Sequence, residues 1–236
     1  MHYGKLVFRS ALLLAAIAFY TVCRINGEAL PFGGYEDTWY ALPLWLVLMV
    51  EMVLRFFPSK HESMGCQKHF KRNFRPTGEK TPRLHSWKVT ALVAAVWMAL
   101  NAVFGTLYLT GVIDWGVLFL ISLAYSVCDM ICILFFCPFQ TWFMKNRCCS
   151  SCRIYNWDFA MMFTPLVFVP KPFTWSLLGV SLALLAYWEI TFRRHPERFA
   201  ENTNRCLSCA NCPEKLCQHK KQLRSFLKKR AKEQKK

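Results

Sequence analysis

Hydrophobic positions along this chain come in long unbroken runs, separated by short polar loops that are mostly basic. Spanning about 30 Å of hydrocarbon takes roughly twenty apolar residues. Five runs approach that length: 6–23, 39–57, 88–110, 115–137 and 173–192. A sixth, "NWDFAMMFTPLVFVP" at 156–170, is shorter and contains Pro165. Proline has no backbone N–H and clashes with the preceding turn, so it kinks or breaks a helix there. The pattern predicts an all-α, polytopic membrane bundle with short cysteine-rich segments attached.

The loop charges decide how many runs cross. Lys and Arg favour the cytoplasmic side of a membrane. Lys5 and Arg9 open the first run, and the loop 58–87 carries Lys60, Lys68, Lys71, Arg72, Arg75, Lys80 and Arg83. Lys145, Arg147 and Arg153 follow the fourth run, and Arg193, Arg194 and the whole tail follow the last. The loops 24–37 and 111–114 are acidic by comparison. With the N-terminus cytoplasmic, the basic tail reaches the same side only if 154–170 crosses, or enters deeply as a re-entrant arm. The expectation is therefore about six spans, near 6–23, 39–57, 88–110, 115–137, 154–170 and 173–192, in a bundle covering 1–193. A cysteine-rich cytoplasmic segment (194–219) and a basic tail (220–236) follow. The expected location is the inner (plasma) membrane, multi-pass, with both termini cytoplasmic. Five spans with an outer tail is the alternative, and it would strand nine basic residues on the wrong side. The start of the chain has a basic and then an apolar stretch but no small-residue cleavage site, and reads as a retained helix.

Composition agrees with the membrane reading. Charged residues make up 19% of the 236, against about a quarter in a typical soluble domain. The net charge of +16 asks for an anionic neighbour. The tail places Leu223, Phe226 and Leu227 at helical spacing among its lysines, which suits the anionic inner leaflet. There each basic residue near the surface contributes about 1 kcal/mol. Interleaved aromatics are missing, so no nucleic acid is expected as a partner. No Walker loop, G-x-S-x-G or H-E-x-x-H is present, and no nucleophile–base pair supports a hydrolase or transferase.

The twelve cysteines carry the candidate chemistry. Under the expected topology, all but Cys23 fall on the cytoplasmic half, where thiols stay reduced and clusters point to metal or redox chemistry. "RCCSSCR" and "CLSCANCPEKLC" are the informative groups. Cys206, Cys209, Cys212 and Cys217 are the first-choice metal ligands, with Cys148, Cys149 and Cys152 next. The C-x2-C-x2-C spacing fits a 4Fe–4S cluster, three thiolates on one tight loop capping three corners of a cubane. Zinc is the rival, held by C-x2-C knuckles from the two loops. A third reading is thiol–disulfide exchange at Cys148, Cys149 and Cys152. Cys23, Cys66, Cys128 and Cys132 are read as small packing residues, although Cys128 and Cys132, four apart, share a helix face.

"CILFFCPFQTWF" at 132–143 ends the fourth run with Cys137-Pro138. It resembles the cysteine–proline motifs of membrane-integral 4Fe–4S proteins, the polyferredoxin-like subunits of anaerobic respiratory reductases. That resemblance adds Cys137 to the ligand set and implies electron transfer from a cytoplasmic donor to a membrane acceptor. The family motif is C-x3-C-P used twice; this chain has C-x4-C-P once.

Acids inside the runs complete the picture. Glu51 stands four residues before Arg55, a spacing that lets the two share the cost of burial. Asp129 sits in the inner half of the fourth run, where an acid suggests a proton or ion path. Asp158 and Glu189 read as interfacial anchors.

Overall fold

The computed structural model describes residues 2–27, 38–58, 64–84, 86–144 and 152–208. Among them every regular element is helical. The long apolar runs become α1 (His2–Asn26), α2 (Thr38–Leu54), α4 (Trp87–Leu109), α5 (Trp115–Leu134) and α7 (Pro172–Arg194). Two short helices, α3 (Met64–Gln67) and α6 (Asp158–Phe163), lie between them. Four helices, α1, α4, α5 and α7, are long and apolar enough to cross a membrane. α2 has 17 residues, which at about 1.5 Å per residue falls a little short of the hydrocarbon thickness.

Local signals set the helix ends. α1 stops at Gly27, whose φ of +69° is a left-handed conformation that suits glycine. The turn from α4 into α5 uses Gly111 at φ +75°. Asp114 then caps α5 by accepting from the Val117 N–H at 3.0 Å. The Tyr20 hydroxyl donates to the same Asp114 at 2.9 Å, which fixes the far end of α1 against the start of α5. α1 and α5 therefore run antiparallel and share the most extensive helix–helix contact of the bundle.

The segment 152–171 differs from a regular span. It runs as a 3-10 turn (Arg153–Trp157), α6, and a second 3-10 turn (Thr164–Phe168). Its contacts progress along the bundle. Arg153 meets Glu189 near the end of α7, Asp158 meets Arg55 just past α2, and the Trp97 indole donates to Thr164. Phe168 lies against Gly105, and Lys171 covers the Trp115 ring at the start of α5. Backbone groups released by the irregular path find side-chain partners. Ser122 donates to the Met162 carbonyl at 2.8 Å and Thr164 to the Ala160 carbonyl at 2.7 Å. Such repair is what lets broken helix persist at membrane depth.

This broken segment is also the core. Phe159, Met162, Phe163 and Leu166 are almost wholly buried, packed with Met52, Leu177, Leu184 and Trp188. The long helices form the shell: only 11% of the apolar window of α1 is buried, and Val7, Phe8, Leu14 and Val22 face outward. An apolar exterior around a packed interior is what a bilayer solvent permits.

At the Lys5 end of the bundle, 66–83 and 196–208 form a small cap. Asn204, fully buried, ties it together: its amide donates to the Lys68 and Arg198 carbonyls, and its oxygen accepts from the Cys206 N–H. Thr77 and Arg205 add backbone bonds to Thr203 and Arg75. His69 stacks on Phe199 with ring centroids 4.3 Å apart, next to Trp188 of α7, so the cap is packed onto the bundle.

Candidate functional site

The C-terminal turns of α5 build the site. Cys128, Asp129 and Cys132 recur at helical spacing and look into one cavity of about 250 Å³. After Leu134 the helix unwinds: the Phe135 and Phe136 N–H groups both turn back to the Ile131 carbonyl. Cys137-Pro138 then leads into a single π-turn, Phe139–Phe143, a form that recurs at functional sites. The reversal brings Cys137 back beside Cys132, and both thiols line the same cavity. The Gln140 N–H donates to the Cys137 sulfur at 3.4 Å. From the core segment, Cys152, Tyr155 and Asp158 complete the wall, with Trp97 of α4 opposite.

Four thiols from three stretches of chain thus line one cavity. Cys152 is buried among Val93, Met144 and Ile154, while Cys128 is exposed. The Tyr125 ring packs on Trp97 at 4.5 Å, and its hydroxyl is buried without a hydrogen-bond partner among the described residues. A buried hydroxyl in that state costs about 1–3 kcal/mol and calls for an acceptor.

Behind two of the cavity's lining acids, Asp129 and Asp158, lie ion pairs. Arg9 is buried and donates to Asp129 at 3.3 Å, to Glu51 at 3.0 Å and to the Ser126 carbonyl at 3.0 Å. Lys5 reaches Glu51 at 2.8 Å. Arg55 meets Asp158 at 2.8 Å. The expected Glu51–Arg55 pairing along α2 is replaced by two pairings across helices. Nor are Asp158 and Glu189 simple anchors: Asp158 holds Arg55, and Glu189 holds Arg153 and accepts from the Trp157 indole at 2.8 Å. Neighbouring helices supply opposite charges at hydrogen-bonding distance, which reduces the burial penalty more than a strained pair on one helix would.

Of the residues proposed as metal ligands, Cys137 and Cys152 line the cavity. Cys206 does not; its thiol donates to the Asn73 carbonyl at 3.0 Å within the cap. Cys148, Cys149, Cys209, Cys212 and Cys217 lie outside the described residues. Among the described residues, no three or more His, Cys, Asp or Glu side chains converge as a metal-binding group. A cluster or zinc site would therefore have to draw on cysteines beyond them. Cys128 and Cys132, read from the sequence as packing residues, belong to the site, whereas Cys23 and Cys66 are buried as expected. The i,i+4 spacing of Cys128 and Cys132 was the available signal; the return of Cys137 was not visible in any spacing. No family model, no curated protein and no solved structure matches this chain.

Proposed function

We propose that this chain is a six-span membrane protein performing thiol–disulfide redox chemistry, with Cys132 and Cys137 as the reacting pair. The observation that carries the reading is the gathering of four thiols around one cavity, two of them, Cys132 and Cys137, side by side. On oxidation, the two thiols form one S–S bond and give up two protons and two electrons. Cys152, buried in the same wall, is the exchange partner, next in sequence after Cys148 and Cys149. The six-span count is supported by 152–171, whose contacts run from Glu189 at one end of the bundle to Trp115 at the other. Cytoplasmic termini are supported by the gathering of Lys5, Arg55, Arg153 and the basic cap at a single end. The basic tail would rest on the anionic inner leaflet there.

A second reading keeps the metal. Cys137 and Cys152 share the cavity wall, and the C-x2-C-x2-C of 206–212 would bring further thiolates to a 4Fe–4S cluster or zinc. Such a cluster would serve electron transfer from a cytoplasmic donor or redox sensing; zinc would staple helix ends. One preparation separates the readings. Protein purified without oxygen in mild detergent is assayed for iron, zinc and sulfide, then alkylated before and after diamide and mapped by mass spectrometry. The thiol reading expects a reversible Cys132–Cys137 disulfide in metal-free protein. Stoichiometric iron and sulfide with a visible band, or stoichiometric zinc, would overturn it in favour of the metal.

A further inference from the structure

Resting on the thiol reading, we propose that the electron acceptor of Cys132 and Cys137 is a quinone, entering the cavity from the bilayer.

The cavity's chemistry selects against anionic thiol reagents. Among the described residues its charged lining consists of Asp129 and Asp158, each already bonded to an arginine, Arg9 and Arg55. No lysine or arginine lines it, so nothing there receives the carboxylates of a glutathione-like peptide. The remaining wall is apolar and aromatic, with Trp97, Ile133, Phe139, Met161 and Met162 facing the space. That surface suits a neutral ring. At about 250 Å³ the cavity lies just under the range of about 300–1,000 Å³ usual for drug-sized ligands. It has room for one substituted ring, with an isoprenoid tail left outside.

Two further features point to a carbonyl-bearing ligand that comes from lipid. The buried Tyr125 hydroxyl borders the cavity with no acceptor, and a quinone oxygen supplies one. Cys128 both lines the cavity and is exposed, so the cavity is open at α5, one of the helices long and apolar enough to cross a membrane.

The chemistry balances without another reagent. Cys132 gives its proton to Asp129, one helical turn earlier. The thiolate adds to a ring carbon, forming a C–S bond and moving an electron pair onto the ring oxygens. Cys137 then attacks the Cys132 sulfur. The S–S bond forms, the C–S bond breaks, and its electron pair stays on the ring. Both thiol protons end on the ring oxygens, so two thiols and one quinone become one disulfide and one quinol.

The test uses the full chain, reduced, in lipid nanodiscs with decylubiquinone. Quinol is followed by its ultraviolet absorbance, and the disulfide by gel shift with a maleimide–polyethylene glycol. The expected result is one quinol and one Cys132–Cys137 disulfide per chain. Tyr125→Phe is expected to slow this by about tenfold, the worth of one good hydrogen bond. Cys137→Ser is expected to trap a quinone adduct on Cys132, read as a mass increase. If diamide forms the disulfide but decylubiquinone does not, the quinone assignment falls and the thiol reading stands. If neither forms it, both fall. Equal quinone rates in wild type and Tyr125→Phe would overturn the placement of the ring against Tyr125.

Discussion

Arg55 and Asp158 meet at 2.8 Å with their side chains only 5% and 6% exposed. The pair joins the end of α2 to the start of α6, the point at which the core segment leaves the cap and enters the bundle. The Arg55 guanidinium also lies 4.9 Å from the centre of the Phe159 ring. Removing one partner leaves a buried charge alone, at a cost of about 3–5 kcal/mol. Asp158→Asn is therefore expected to lower the detergent melting temperature sharply. The double variant Arg55→Met, Asp158→Leu should recover much of the loss. Calorimetry or tryptophan fluorescence melting of the three proteins checks this, and equal loss in single and double variants would contradict it.

Arg9 holds two carboxylates on different helices, Glu51 of α2 and Asp129 of α5. Arg9→Met would leave two buried acids without the guanidinium that bonds both, so at neutral pH it is expected to destabilise the α1–α5 contact. Restoring neutrality with Glu51→Gln in the same chain should recover part of the stability. The readout is cross-linking yield between cysteines placed in α1 and α5, compared across the three proteins.

Gly105 is required by a close approach. A Cβ built there would lie 2.2 Å from the tip of the Phe168 ring. Gly105→Ala is expected to cost about 1–3 kcal/mol, the usual penalty of overpacking. Phe168→Leu should relieve it, because the shorter side chain withdraws from the gap. Thermal unfolding of the single and double variants tests the pairing; an additive result would show that the two residues do not meet.

Asn204 is the keystone of the cap, with its side chain bonded to the Lys68 and Arg198 carbonyls and to the Cys206 N–H. Asn204→Leu leaves buried backbone groups without partners, each worth about 1–3 kcal/mol. The expected effect is local: 196–208 opens while the bundle holds. Cys206, whose thiol is held on the Asn73 carbonyl, should then alkylate at least several-fold faster, with the rate at buried Cys152 unchanged. Time-resolved alkylation with peptide mapping reads both.

The sequence and the structure agree most where one periodicity dominates. Runs of apolar residues beyond the length of a soluble core helix have few alternatives to crossing a membrane, and α1, α4, α5 and α7 follow those runs to within a few residues. Agreement is weaker at 154–170. Its Pro165 and short length marked a break, but nothing in its composition marked it as the most buried part of the molecule. The site was half legible. Cys128, Asp129 and Cys132 share a face by spacing alone. Cys152 was noticed for its neighbours Cys148 and Cys149 rather than for its burial against Val93 and Ile154. Tyr125, with its unpartnered hydroxyl, carried no signal in the sequence.

What the sequence determined by itself was the solvent. Long apolar runs bounded by basic loops make a helical membrane protein, because hydrocarbon tolerates only backbones whose hydrogen bonds are satisfied within the fold. What the tertiary structure decided was the pairing. Glu51 and Arg55 sit one turn apart on α2, yet each finds its partner on another element, since the bundle brings better-placed opposite charges to each. Cys137 became the neighbour of Cys132 only because α5 unwinds after Leu134 and the chain turns back. Contacts of this kind depend on where a helix ends and what packs beside it, and those are properties of the assembled bundle.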